Sequence, residues 1–151
     1  MKSKTLPKRI SRKTATKKSW TDRMEQDNSV VKILDKDFAD MKAGSKMYIS
    51  NPKIIEAYIR NIPKGSSVDL KTLRNDLAIE HMADVTCPVT TGIFLRIVAE
   101  AASEQFEQGK SIGRITPFWR VIDEKMPLAK KLTFGTKLIH EQRKKEKLDI
   151  S

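Results

Sequence analysis

The sequence is poor in the residues that most small-site chemistries need. One cysteine, Cys87, stands among 151 residues, so no disulfide can form within the chain. The two histidines, His81 and His140, are far apart in sequence. With a single thiol they offer no plausible zinc-ligand spacing. Six glycines form no phosphate-cradling loop, and no serine sits in a nucleophile-elbow pattern. No apolar run approaches the length of a bilayer span. The basic N-terminus has no apolar stretch after it, as a secretory signal would. A cytoplasmic protein without cofactor or metal is the expectation, and the length allows one core that needs no staple.

Acid is also missing from one place. Residues 1 to 18 contain eight basic residues and no Asp or Glu. Lys8, Arg9, Arg12, Lys13, Lys17 and Lys18 make up most of that charge. The rest of the chain carries 22 basic against 19 acidic residues, so most of the net +11 lies in the arm. Such an arm neutralises phosphates, which points to nucleic acid as a partner; a solvated tail or a tether to an anionic membrane is the plainer reading. The arm has few apolar residues and no period, which predicts disorder.

Beyond the arm the chain is patterned. It divides into an arm (1–18), an N-terminal extension packed on the domain (19–45), a domain (46–147) and a short tail (148–151). Ser19 is a fitting cap for a short helix in which Trp20 and Met24 share a face. Residues 30–41 read as a strand and loop packed on the core, and 46–49 as a short strand. Ser50 or Asn51, then Pro52, open a helix with Ile54, Ile55, Tyr58, Ile59 and Ile62 on one stripe. Pro63-Lys64-Gly65 ends it. Asp69 caps a second helix with Leu70, Leu73, Leu77 and Ala78 inward. A third runs from Thr86 or Cys87 to about Gln108, with Val89, Ile93, Ile97 and Ala101 inward. Residues 114–122 read as a strand, and 135–147 as a charged closing helix with Leu138 and Ile139 inward. The fold class expected is mainly α with a small β element, in a winged helix-turn-helix arrangement.

Two segments carry a resemblance. They are Cys87-Pro88-Val89-Thr90-Thr91-Gly92-Ile93-Phe94 and Ile115-Thr116-Pro117-Phe118-Trp119-Arg120-Val121-Ile122. With Ile62-Pro63-Lys64-Gly65, they resemble a group of small proteins filed with the DNA-binding domain of the O6-alkylguanine-DNA alkyltransferases. The likeness covers residues 46 to 146. It implies a winged-helix fold, duplex DNA rather than RNA as partner, and a link to DNA repair. Alkyltransferases carry a Pro-Cys-His-Arg-Val segment; the match here is Pro117-Phe118-Trp119-Arg120-Val121. Phe118 occupies the place of the reactive cysteine and Trp119 that of its histidine. A phenyl ring cannot attack an alkyl carbon, so a non-catalytic protein is implied. Non-catalytic relatives have an aromatic residue in the cysteine's place, which makes Phe118 and Trp119 candidates for a base pocket; packing is the alternative.

The remaining candidates come from the same match. Thr90 and Thr91, in the first turn of the third helix, are candidate phosphate contacts, and Arg120 matches the motif's arginine. Their plainer roles are supporting the helix start and tying the predicted strand to that helix. Glu100, Glu104 and Glu107 would repel phosphates if that helix entered a groove. This acidic face, with Phe94 and Leu95 as exposed apolar residues, favours an alternative, a protein-interaction module on the same fold. Cys87 at a helix N-terminus allows a third reading, a cryptic alkyl acceptor, although a buried inert thiol is the plainer one.

Overall fold

A computed structural model describes residues 18–148. Five α-helices, two 3-10 helices and a three-stranded sheet account for the elements among them. The protein is thus mainly α with a small β element.

Helix α1 (Trp20–Arg23) is a single turn fixed by a capping box: Asp22 N–H donates to Ser19 Oγ at 3.0 Å, and Ser19 N–H to Asp22 Oδ2 at 3.4 Å. Strand β1 (Val30–Ile33) pairs antiparallel with β2 (Lys46–Ile49), Val30 opposite Ile49. Strand β3 (Val85–Thr86) lies parallel to β2, with Tyr48 opposite Thr86. A parallel neighbour needs a crossover, and helices α2 (Pro52–Arg60) and α3 (Leu70–Glu80) supply it.

Both crossover helices begin where their caps predict. Asn51 Oδ1 accepts Ile54 N–H at 2.9 Å, with Pro52 in the first turn. Asp69 Oδ1 accepts Thr72 N–H at 2.7 Å. The apolar stripes point as their spacing requires: Ile55, Ile59, Ile62, Leu73, Leu77 and Ala78 are buried, and Ile54, Tyr58 and Leu70 are half-buried.

Helix α4 (Pro88–Glu107) is the axis of the fold. From Ile97 to Ser103 every residue is buried, because α1, α2 and the segment around Phe118 pack around it. A helix enclosed on all sides has no single inward stripe. Its first two turns project past those neighbours. Val89 and Ile93, expected inward, are therefore 55% and 52% exposed, whereas Leu95, expected outside, is fully buried and Phe94 half-buried. Gly109, at φ +108°, takes the left-handed conformation that ends the helix.

Two expectations about extended segments are corrected. Residues 114–122 form no strand. They turn into a 3-10 helix (Phe118–Arg120), with Arg120 N–H donating to Pro117 O and Ile122 N–H to Phe118 O. Ile115 through Trp119 are consecutively buried, a pattern no half-exposed strand could satisfy. Every strand among the described residues accordingly precedes α4. Strand β1, expected on the core, is exposed along its length because it forms the outer edge of the sheet. A second 3-10 helix (Pro127–Lys131) leads to α5 (Lys137–Lys145), where Ile139 and Arg143 are buried and Leu138 is half-buried.

Candidate nucleic-acid interface

A buried carboxylate organises the segment Pro117-Phe118-Trp119-Arg120-Val121. Glu146, the C-cap of α5, turns inward beneath Trp119 and Arg120. Trp119 Nε1–H donates to Glu146 Oε2 at 2.8 Å, and Arg120 grips both oxygens, Nε to Oε1 at 2.9 Å and Nη2 to Oε2 at 3.1 Å. Gly65 N–H adds a bond to Oε1 at 3.1 Å. Arg120 Nη1 donates to Ile62 O at 2.9 Å, and Arg143 Nη1 to Trp119 O at 2.6 Å. One acid thus joins the turn after α2, the 3-10 helix and the end of α5. Burial opposes its charge. The bonds from Arg120, Trp119 and Gly65 outweigh that penalty and hold its pKa below the ordinary glutamate range.

Over this hub lies a cleft of about 450 Å³. Pro117, Trp119 and Arg120 line it, and Arg60, Lys64 and Lys145 stand around it. Lys64 and Lys145 are exposed. Arg60 reaches the Arg114 carbonyl at 3.4 Å and the Glu56 carboxylate at 3.7 Å. The surroundings suit an anion, because cations at the mouth outnumber the single acid, whose lone pairs are already occupied.

The residues singled out from sequence are scattered by the fold. Lys8, Arg9, Arg12, Lys13 and Lys17 lie outside the described residues. Lys18 is exposed, one position before the Ser19 cap. Thr91 is fully buried and its hydroxyl donates to Cys87 O at 2.5 Å, so it supports the helix start and faces away from solvent. Thr90 is partly buried, with its hydroxyl against protein and no hydrogen-bond partner.

Phe118 is fully buried, packed edge-on against Trp119 and Phe134 at centroid distances of 5.3 and 5.5 Å. It presents no face to a base. Trp119 lines the cleft but is only 3% exposed, its indole N–H held by Glu146. Arg120 directs Nε, Nη1 and Nη2 into the protein, and its side-chain tie runs to α5 and the turn after α2, not to the first turn of α4.

Cys87 is buried, and the helix it precedes receives no side-chain cap from it. Among the described residues, no three His, Cys, Asp or Glu side chains converge as a metal site would need. No helix among them is long and apolar enough to cross a membrane.

The expected acidic face of the long helix is also corrected. Glu100 is buried and accepts Thr133 N–H at 2.8 Å and Thr133 Oγ1–H at 2.5 Å. Glu104 caps α1, accepting Thr21 N–H at 3.0 Å, Thr21 Oγ1–H at 2.6 Å and Trp20 N–H at 3.3 Å. Those bonds prevail over burial and lower its pKa. Of the three acids only Glu107 is exposed, so the helix carries far less open negative charge than its sequence suggests.

Sequence reasoning missed the roles of Arg60 and Glu146. Lys64 stands out in sequence only within Ile62-Pro63-Lys64-Gly65, and Lys145 only as one cation of a charged terminal run that would add to a basic DNA-facing surface. Glu146 sits in the run Arg143-Lys144-Lys145-Glu146-Lys147, which reads as a solvated face; its one local signal is that it is an acid among cations. No family model matches the chain, and no match was found among curated proteins or solved structures.

Proposed function

We propose that this protein is a non-enzymatic DNA-binding protein that holds duplex DNA through its basic arm and the cationic mouth of the cleft over Trp119. The single observation that carries this reading is the charge division: eight cations and no acid in residues 1 to 18. Such an arm binds phosphates without reading sequence. Lys64, Lys145 and Arg60 add a cationic patch on the body beside the alkyltransferase-like motif. In this reading α3 and α4 are the helix-turn-helix pair of a winged-helix-like domain, without a strand-built wing after α4. Resemblance alone favours duplex over RNA and suggests a role in DNA repair.

The test is fluorescence anisotropy of a labelled duplex against salt. With about five phosphates engaged, a log–log slope of about −4.5 is expected for the full chain. Changing the eight arm cations to glutamine flattens it, and Lys64→Gln with Lys145→Gln lowers its magnitude by about 1.8. A full-length chain that fails to bind duplex at low salt removes the reading. Because Phe118 stands in place of the acceptor thiol and Cys87 is buried, incubation with a benzylguanine substrate should leave the intact mass unchanged. A stoichiometric benzyl adduct would make the protein an enzyme instead.

A further inference from the structure

A second cleft, of about 460 Å³, is ill-suited to phosphate because its floor is apolar. Trp20 of α1, Val89 and Ile93 of α4 and Leu128 of the second 3-10 helix line it, with Arg23, Arg96 and Lys131 among them. Val89 and Ile93 are more than half exposed on a helix whose remainder is largely enclosed. Large apolar side chains clustered in one groove mark a surface that is covered by something.

The charges indicate what covers it. Arg23 places its guanidinium 4.3 Å from the Trp20 ring centroid, and Arg96 places its own 5.2 Å from the same centroid. Two like charges therefore converge on one indole. Arg96 has a carboxylate neighbour in Glu100 at 3.4 Å, but that acid is already bound twice by Thr133. Lys131, exposed, adds a third cation to the rim. An incoming carboxylate would relieve this repulsion, and an apolar side chain would cover Val89 and Ile93. The chain's own arm has the wrong sign for the rim, with eight cations and no acid. Nucleic acid has the right sign, but it would leave the aliphatic floor facing phosphates and sugars.

The geometry points to a docking groove for an acidic amphipathic segment of a protein partner, with large apolar side chains on one face and Asp or Glu flanking them. Apolar anchors enter between Trp20, Val89, Ile93 and Leu128, and flanking carboxylates meet Arg23, Arg96 and Lys131. This is the helix-in-groove mode of recognition, with charge setting orientation and partner choice. None of its lining residues belongs to the basic arm or lines the cleft over Trp119, so its occupancy can be tested apart from DNA binding.

The test uses the full chain and a synthetic helical peptide with Leu at i, i+3 and i+7 and Glu between. Methyl spectra of Val89 and Ile93 report occupancy, and anisotropy of the labelled peptide reports affinity. Saturable shifts of both residues' methyl signals are expected. Val89→Ser with Ile93→Ser should weaken the peptide about tenfold or more. Lys131→Glu, at an exposed position, should weaken it several-fold, and it keeps the test decisive if the double variant folds poorly. The same peptide with Lys in place of Glu should not bind. The inference is overturned by absence of shifts with the acidic peptide, or by equal affinity for the lysine peptide. It is equally overturned if these methyls respond instead to duplex DNA or to phosphatidylserine vesicles, or if sedimentation shows that a second copy already fills the groove.

Discussion

Glu146 illustrates how little a residue's type says about its work. Its side chain is 3% exposed, and that of its partner Arg120 is 13% exposed. Such a pair is held by the cost of separating it: removing one charge strands the other in a poorly solvated place. Glu146→Gln is nearly isosteric and keeps one acceptor oxygen, yet it leaves the Arg120 guanidinium without a countercharge. A loss of about 3 kcal/mol in urea unfolding at neutral pH is expected. The pH dependence has a definite sign. Glu146 has a depressed folded pKa, so its stabilisation is complete above the unfolded glutamate value of about 4.3. It fades as pH falls through the lower folded value. The stability gap between wild type and Glu146→Gln should therefore narrow in acid; a neutral variant, or a gap that widens as pH falls, would show that the carboxylate is not the hub. Arg120→Ala should destabilise by the same logic, while the DNA affinity of its folded fraction stays close to that of wild type.

Elements are fixed by ties between distant segments as much as by local pattern. Helix α1 is only four residues long, too short to persist alone. It is held because Glu104, more than eighty positions later, takes the orphan N–H groups of Trp20 and Thr21 and the Thr21 hydroxyl. Glu104→Ala should release α1 from α4, costing about 2 kcal/mol, in the range of a hydrogen-bonded charge. Faster hydrogen exchange at the backbone N–H groups of Trp20 and Thr21, with the Trp119 indole N–H unchanged, would be the signature. Equal exchange at both in wild type and variant would mean that α1 is held by apolar packing alone. Caps and stripes made α2 and α3 legible from sequence, since one face of each meets the core. Helix α4 was legible in extent but not in orientation, because its enclosed half and its projecting half obey different burial rules. The strand expected at 114–122 failed for a related reason: a buried apolar run looks the same whether it is strand or 3-10 turn.

At the scale of the molecule, the body contains its own core. Ile55, Ile59, Leu73, Leu77, Leu95, Phe118, Ile122 and Ile139 are each at most 1% exposed within one cluster. The arm carries most of the net charge but only two aliphatic side chains, Leu6 and Ile10, beyond Met1 and small residues. Deleting residues 1 to 17 should therefore leave a single cooperative thermal transition, with the midpoint within a few degrees of the full chain, while duplex binding weakens and loses most of its salt dependence. A deletion that broadens or abolishes the transition would show that the arm contributes to the fold.

The division between what was determined by the sequence alone and what only tertiary structure decided tracks physical range. Net charge and its segregation, the absence of a disulfide framework, and helix starts at Asn51 and Asp69 are properties of composition or of residues three apart, and they need no fold to be read. The partners that tie Trp119, Arg120, Glu100 and Glu104 to other segments lie 24 to 84 positions away. No spacing rule reaches that far. Whether an acid is a repulsive surface charge or an internal acceptor, and whether Val89 and Ile93 face core or solvent, depends on which segments close over them. That is settled only when the chain has packed, because desolvation and hydrogen-bond satisfaction act on the assembled neighbourhood and not on the residue.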